Sequence, residues 1–331
     1  MRLSVLTAKI IGTGSYLPEQ VLSNHDLEKM VETSDEWITS RTGMKERRIA
    51  AKNEHNSDMG AAAALKAMEA AHVTAGDIDL ILVATLTPDY AFPSTACLIQ
   101  AQLKAPQAAA MDMQAACSGY LYGLMMAKSF VESGQYRTVL LVASEKLSSI
   151  VNYKDRNTCV LFGDGASACV VSAKGKGLAI RNVNLGADGE LANLLILPAG
   201  GSRKPASAET VCAEEHFLKM EGKEVFKHAV RRMEAAAKQC LDALQLKESD
   251  ISWLVPHQAN MRIIEALAKR FEVPMEKVFM TIHKYGNTSA SSVGIALDEL
   301  LRQNTIRSGD NLLLAAFGSG LTWGASVLTY E

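Results

Sequence analysis

The sequence predicts an α/β protein made of two related halves. Apolar strands alternate with helices through the first half, two strands recur at one fixed spacing, and both halves carry equivalent turns of small residues. Alternation of this kind is typical of a layered α/β domain. The 331 residues are enough for two units of about 150 residues each, and we expect the halves to be 1–180 and 181–331.

In the first half, apolar patterning and helix caps predict the order of the elements. Residues 80–86 and 139–143 are nearly continuous apolar runs, as in strands that are buried on both faces of a parallel sheet. Ser34 and its neighbours can cap a short helix that carries Trp37 and Arg41 on one face. The predicted elements are strands at 8–13, 80–86, 107–113 and 139–143, and helices from Asn24, at 33–41, at 57–74, at 94–103 and at 120–130.

The second half repeats part of the first. Positions 77–78 and 250–251 are both Asp-Ile before a strand, and the strands 139–143 and 312–316 match each other. Both pairs are separated by 173 positions, which indicates a duplicated unit. The other predicted elements are a strand at 169–172, a linker at 185–209, a long helix or helix pair over 213–245 interrupted at Gly222, a strand at 253–255 and a helix at 261–271.

Composition excludes several classes of protein. The 48% hydrophobic and 21% charged residues are those of an ordinary folded protein. A formal net charge of −2 gives no bulk electrostatic reason to expect nucleic-acid or membrane binding. No apolar run approaches the ~20 residues of a membrane span, and residues 1–17 lack the features of a signal peptide, so we expect a cytoplasmic protein.

Motifs for metals and nucleotides are missing as well. The six cysteines form neither a Cys-x-x-Cys pair nor a cluster with zinc spacing, which argues against a metal site and a disulfide framework. Gly163 and Gly165 are followed by strand residues instead of opening a helix, so they are not a dinucleotide fingerprint. We therefore expect neither a metal nor a cofactor.

Cys117 lies among small residues on a predicted strand-to-helix turn. Unpaired N–H groups at the start of a helix favour an anion and can lower the pKa of a cysteine well below its usual ~8.5. A buried core cysteine is the alternative. The 173-residue spacing places position 290 opposite Cys117, within a second small-residue turn that carries Asn287. His257 follows another predicted strand, at the edge where α/β folds bind ligands.

Two surface features are open to more than one interpretation. Trp37 and Arg41 could hold a flat aromatic ligand or simply form a cation–π pair that fixes a loop. Lys219, Lys223, Lys227 and Arg231 recur every four residues, as on one helix face. Such a stripe could bind an acidic protein or be only a solvated face.

Seven motifs together resemble the β-ketoacyl-acyl-carrier-protein synthase III family of the thiolase fold. They are the segments 12–18, 33–37 with 41–43, 115–119, 162–165, 257–260, 285–289 and 322–324, which are spread over nearly the whole chain. The resemblance implies a duplicated, five-layered αβαβα fold, a homodimer, and a Cys-His-Asn triad of Cys117, His257 and Asn287. Relatives with a Cys-His-His triad do not fit Asn287.

The resemblance also implies an activity. A short acyl-CoA, for which we expect acetyl-CoA, would acylate Cys117, and malonyl-acyl carrier protein would then lose carbon dioxide and attack the acyl group. This decarboxylative Claisen condensation starts type II fatty-acid synthesis, and its CoA thioester is a substrate. The alternatives are a relative diverted to secondary metabolism, with another starter or nucleophile, and an inactive protein that binds acyl-CoA.

The family pattern assigns roles to further residues. The N–H groups of Cys117 and Ser319 would form the oxyanion hole, while His257 and Asn287 would donate hydrogen bonds to the malonyl thioester oxygen. Trp37 and Arg156 would sandwich the CoA adenine with Arg41 nearby, and Phe92 would reach the acyl pocket of the partner subunit. Residues expected to contact the acidic carrier protein are Lys227, Gln258, Arg262, Lys269 and Arg270.

Overall fold

The structure, a computed structural model, describes residues 6–331. Nine of its strands form one sheet in the order β11-β12-β13-β8-β1-β7-β6-β4-β5. The strands of the described residues are β1 (Lys9–Tyr16), β2 (Gln20–Ser23), β3 (Glu46–Ile49), β4 (Leu80–Ala84), β5 (Ala109–Met113), β6 (Thr138–Glu145), β7 (Gly165–Ser172), β8 (Leu178–Ala187), β9 (Leu195–Ile196), β10 (Lys219–Met220), β11 (Ile251–Pro256), β12 (Asn311–Gly318) and β13 (Thr322–Tyr330).

Helices pack on both faces of this sheet, and two of them contact strands from both of its ends. Across residues 6–331, no helix is long and apolar enough to cross a membrane. The helices are α1 (Asn24–Leu27), α2 (Asp35–Thr42), α3 (Asn56–Ala70), α4 (Thr95–Leu103), α5 (Gly119–Glu132), α6 (Arg156–Cys159), α7 (Ala208–Cys212), α8 (Gly222–Leu244), α9 (Met261–Arg270), α10 (Ile282–Tyr285) and α11 (Ser291–Arg302).

The packing confirms the five-layered αβαβα arrangement. Helices α3 and α4 pack on the part of the sheet formed by β1, β4, β5, β6 and β7, and α8 packs on β8, β12 and β13 with α9 beside it. Helix α5 contacts β4 and β6 as well as β8 and β13, and α11 contacts β1, β7 and β11, so these two helices form the central layer. Their buried apolar side chains join both parts of the sheet into one core.

The two parts of the sheet share a pairing register. In the first part, Leu80 of β4 pairs in parallel with Val139 of β6. In the second part, Trp253 of β11 pairs in parallel with Leu312 of β12, and both residues lie 173 positions after their counterparts. Within the sheet, the parts join where Lys9 and Ile10 of β1 pair with β8. The division at 180/181 stays a prediction, and it falls within β8.

Three expectations about elements are wrong. The segment 185–209 is not a linker, because β8 extends to Ala187 within the sheet and β9 follows. The polar residues Arg181, Asn182 and Asn184 break the apolar pattern of β8 and conceal the strand in the sequence. The long helix begins at Gly222 instead of being interrupted there, which places Lys219 on β10 and outside the helical stripe.

Gly12 and Gly14 have a packing role. Strand β1 continues to Tyr16, three residues beyond the strand that was expected at 8–13. A Cβ atom at Gly12 would lie 2.5 Å from the carbonyl oxygen of Ala67, and one at Gly14 would lie 2.4 Å from that of Ala63. Helix α3 can therefore approach β1 this closely only because both residues lack a side chain.

Candidate active site

Three turns converge on one cavity, and two of them follow the carboxyl ends of the outermost strands of the sheet, β5 and β11. Cys117 follows β5, His257 follows β11, and Asn287 precedes α11. All three side chains line one cavity of about 840 Å³ that opens to the surface. Strands β5 and β11 occupy corresponding edges of the two parts of the sheet, so their carboxyl ends bring residues distant in sequence to one place.

Cys117 lies in the 3₁₀ turn Ala116–Ser118, directly before α5. Ala116 has a φ of +45°, in the left-handed region, which gives the turn its sharp bend. The thiol is buried, and burial raises its pKa to about 12, whereas the sequence suggested a lowered value. The desolvation cost of an anion in this buried position exceeds the stabilisation from the hydrogen bonds around it. In the resting protein Cys117 is therefore a thiol at neutral pH.

His257 is buried and held from two sides. Its backbone N–H donates to Ala315 of β12 at 2.8 Å, and its Nδ1 lies 2.7 Å from the hydroxyl oxygen of Ser292. That hydroxyl also accepts a hydrogen bond from the N–H of Gln258, so it is free to donate its own proton to Nδ1. Burial lowers the pKa of His257 to about 3. The ring is neutral, and with Nδ1 accepting, Nε2 carries the proton.

The Asn287 side chain is oriented by its own turn. Its Oδ1 accepts the N–H of Ser289 at 2.8 Å. Its backbone N–H donates to Leu161 at 2.9 Å, and its carbonyl accepts the N–H of Gly163 at 3.0 Å. Because the amide oxygen is engaged within the turn, the amide nitrogen is the atom that can donate a hydrogen bond into the cavity.

The loop after β12 lies against the nucleophile turn. A Cβ atom on Gly318 would come within 2.6 Å of the Cys117 backbone nitrogen, so only glycine permits this approach. Ser319 donates from its hydroxyl to the Leu195 carbonyl of β9, and its own carbonyl accepts the hydroxyl of Thr322 at 2.9 Å. The role of the Ser319 N–H in an oxyanion hole stays a prediction.

Trp37 lies at the mouth of the cavity between two arginines. The Arg41 and Arg156 guanidinium carbons lie 5.1 and 5.0 Å from the centre of its ring. Arg156 also donates to the carbonyl of Glu32 at 3.0 Å. Both arginines therefore form cation–π contacts with Trp37. Arg156 thus contacts the same ring on which the resemblance implies that the CoA adenine stacks.

Basic side chains surround the same mouth. Lys223 and Lys227 of α8 and Arg262 of α9 are exposed and line the cavity. Lys269 and Arg270 are exposed farther along α9, and Arg270 forms an ion pair with Glu234. This surface offers positive charge to an anionic ligand or an acidic protein.

Gln258 does not belong to this surface. The prediction that its side chain contacts the carrier protein is therefore wrong. Its side chain is fully buried. Its amide donates to the Pro256 carbonyl at 2.7 Å and accepts the N–H of Thr281 at 2.9 Å. Gln258 instead braces the turn that carries His257.

Phe92 lies apart from the cavity of its own chain. Its side chain is 86% exposed in the loop before α4, and it is not among the residues that line the cavity. Tyr90 in the same loop is also exposed, and several exposed apolar side chains in one region are typical of a contact surface.

Sequence reasoning missed several residues that shape the site. Ser292 and Ser289 orient the side chains of His257 and Asn287, and Gly318 makes room for the Cys117 amide. The run of small residues at 286–294 is the signal that could have identified both serines, because it lies opposite the Cys117 turn in the duplicated pattern.

A buried cysteine, a neutral histidine and an asparagine amide that line one cavity with a basic mouth are the features of a cysteine acyltransferase, here with the thiolase fold. Residues 111–189 match the family model described as 3-oxoacyl-[acyl-carrier-protein (ACP)] synthase III, and residues 241–330 match the model of its C-terminal part. The chain belongs to the β-ketoacyl-[acyl-carrier-protein] synthase III family.

Individual relatives agree over the full length. The chain is 65% identical to a β-ketoacyl-[acyl-carrier-protein] synthase III of Chlamydia caviae, covering 97% of this chain and 96% of that protein. It is similar to the crystal structure of a 3-oxoacyl-[acyl-carrier-protein] synthase III from Aquifex aeolicus, with 49% identity, a TM-score of 0.90, and 98% and 100% of the two chains covered. A priming β-ketosynthase of a polyketide biosynthetic pathway has 35% identity and a TM-score of 0.92, with coverage of 100% and 98%.

Proposed function

We propose that this enzyme condenses acetyl-CoA with malonyl-acyl carrier protein to acetoacetyl-acyl carrier protein, and so starts type II fatty-acid synthesis in the cytoplasm. One observation carries the proposal: Cys117, His257 and Asn287 line a single cavity whose mouth is basic. Cys117 lines the same cavity of about 840 Å³ as the basic residues Lys223, Lys227 and Arg262, whose charges are complementary to CoA phosphates.

In the first half-reaction, the sulfur of Cys117 attacks the acetyl thioester and CoA leaves. Splitting the condensation into two steps in this way is nucleophilic catalysis. The tetrahedral intermediate carries a negative oxygen, which the N–H groups of Cys117 and Ser319 would stabilise. Arg156 would move off the Trp37 ring to admit the adenine, with Arg41 remaining beside it.

In the second half-reaction, malonyl-acyl carrier protein loses carbon dioxide and its enolate attacks the acetyl-cysteine. Nε2 of the neutral His257 and the Asn287 amide nitrogen would donate hydrogen bonds to the enolate oxygen as charge develops there. An amide is not a base, so Asn287 contributes electrostatically.

Mass spectrometry tests the proposal directly. The purified enzyme is incubated with a panel of acyl-CoAs, and malonyl-acyl carrier protein is then added. We expect an acetyl adduct that is discharged as a β-ketoacyl-carrier protein. The similarity to a priming β-ketosynthase supports a second candidate, a role in secondary metabolism with another starter. An adduct of a different acyl group, or one that malonyl-acyl carrier protein cannot discharge, would favour this candidate.

We also propose that two chains form a homodimer through the β5 edge. β5 ends the sheet and carries mostly small and apolar residues, Ala-Ala-Met-Asp-Met, with Met111 exposed. An unprotected edge of this kind readily pairs with another strand. The exposed Phe92 lies in the loop leading to α4, which packs against β5, so it could enter the partner's acyl pocket.

Sedimentation should give twice the mass of one chain for the wild-type protein. Met111→Lys should shift the equilibrium towards single chains, because lysine on an edge strand opposes pairing. A single-chain mass for the wild-type protein would contradict the homodimer.

The basic mouth leads to a prediction about the carrier protein. Arg262→Glu should raise the KM for malonyl-acyl carrier protein about three- to tenfold, because it places a repulsive charge on the docking surface. Acetyl transfer from acetyl-CoA should change much less. Lys176→Glu is the matched control, since Lys176 is exposed on the β7–β8 turn and does not line the cavity. Equal losses in both half-reactions would argue against docking at Arg262.

A further inference from the structure

Glu145 is a buried carboxylate that the proposed function does not use. It ends β6 and has no exposed surface. The Thr87 hydroxyl donates to it at 2.7 Å, the Thr85 hydroxyl at 3.2 Å, and the Leu86 N–H at 3.1 Å. Burying a carboxylate without a cationic partner costs free energy, and the hydrogen bonds from these donors offset part of that cost.

The fourth donor connects Glu145 to the active site. Ser289 donates from its hydroxyl to Glu145 at 3.1 Å, and its N–H donates to the Asn287 amide. Both groups act on the pKa of Cys117, which a hydrogen bond with the Ser289 side chain lowers and the charge of Glu145 raises. The buried hydroxyl of Ser289 thus stands between the nucleophile and the carboxylate.

We infer that Glu145 receives the proton of the Cys117 thiol through Ser289 during acyl transfer and returns it during condensation. The inference rests on the proposed function, in which Cys117 carries the acyl group. It supplies a step that the other site residues leave open, since the resting nucleophile is a thiol and the Nδ1 of His257 is occupied by Ser292.

The proton balance closes over one turnover. As the Cys117 sulfur bonds to the acyl carbon, its S–H bond breaks, the proton passes to the Ser289 oxygen, and the Ser289 proton passes to Glu145. CoA leaves as a thiolate and takes a proton from solvent. After decarboxylation, the enolate displaces the Cys117 thiolate, which regains its proton through Ser289 from Glu145. One solvent proton is consumed for each carbon dioxide released.

Other charged groups near Glu145 are directed elsewhere. The ammonium group of Lys146 donates to the carbonyl of Ala51 at 3.0 Å. The carboxylate of Asp164 accepts the N–H of Ser148 at 2.8 Å. Cys117 is therefore the titratable group that shares Ser289 with Glu145. Burial raises the pKa of Glu145 to about 7, which suits a group that gains and loses a proton near neutral pH.

Single-turnover transfer from acetyl-CoA, followed by CoA release as a function of pH, tests the inference. Glu145 accepts a proton only when it is ionised, so the wild-type rate should rise with pH and level off above about pH 7. Glu145→Gln should lose at least about tenfold of the plateau rate and the pH-dependent rise. Glu145→Asp should restore both in part.

Two further variants keep the test decisive. Ser289→Ala should slow acetyl transfer to Cys117 although Glu145 is still present. This variant tests the relay even if Glu145→Gln does not fold. Asp298→Asn is the matched control, because Asp298 is a buried carboxylate that binds Thr13 at 2.8 Å, outside the cavity. It should leave the pH profile unchanged.

A purely electrostatic role of Glu145 predicts a different result from a proton relay. Removal of a nearby negative charge by itself lowers the pKa of Cys117, so a merely electrostatic Glu145 predicts that Glu145→Gln is acylated as fast as wild type or faster. That outcome, or an unchanged pH profile in Ser289→Ala, would overturn the proton relay. A wild-type enzyme that never forms an acyl-cysteine would instead overturn the proposed function.

Discussion

Replacing Cys117 with serine is expected to remove the acyl-enzyme and to lower the condensation rate at least about 10³-fold. A hydroxyl is a far weaker nucleophile than a sulfur, and the pocket already disfavours an anion, as the raised pKa of Cys117 shows. Mass spectrometry after incubation with acetyl-CoA measures the adduct, and the yield of β-ketoacyl-carrier protein measures the condensation.

Cys169→Ser provides the control for this variant. Cys169 is also a buried cysteine, but it lies on β7 and does not line the cavity. Its variant should still be acylated. An acetyl adduct that persists at another residue in Cys117→Ser would show that the acyl group is carried elsewhere, and the assignment of Cys117 would fail.

Replacing Asn287 with alanine is expected to separate the two half-reactions. Condensation should fall about 10²- to 10³-fold, because one of two hydrogen-bond donors to the developing enolate is lost. Acetylation of Cys117 should change much less, because the oxyanion hole proposed for that step consists of backbone N–H groups. Rapid quench with acetyl-CoA, followed by malonyl-acyl carrier protein, measures each step on the same sample.

Thr288→Val supplies a nearby comparison for Asn287→Ala. Thr288 is buried in the same turn, yet it does not line the cavity, so its variant reports on disturbance of the turn alone. If Asn287→Ala slowed both half-reactions equally, as a collapsed turn would, the amide would have no specific role in stabilising the enolate.

Much of the architecture could be predicted because its signals are local. Runs such as 80–86 and 139–143 are buried on both faces and are therefore continuously apolar, and the 173-residue spacing relates β4 and β6 to β11 and β12. β8 was missed because most of it is not buried and the polar residues Arg181, Asn182 and Asn184 interrupt its apolar pattern. Its place in the sheet depends on pairing with β13, which lies far away in sequence.

The site shows the same limit. The positions of Cys117, His257 and Asn287 followed from where strands end and helices begin. Their protonation did not follow, because the pKa of Cys117 depends on how completely other elements exclude water from it. Likewise, Gln258 appeared to be a surface residue in the sequence, and only the folding of 279–282 over its amide makes it internal.

The raised pKa of Cys117 also affects how readily this thiol is oxidised. Peroxides attack thiolates, and the raised pKa of Cys117 keeps this group mostly in the thiol form at neutral pH. In the free enzyme, the nucleophile therefore reacts slowly with peroxides before a thioester enters the cavity. Cys97 and Cys212 are exposed, so an oxidant in solution reaches these two sulfurs more readily than the buried Cys117.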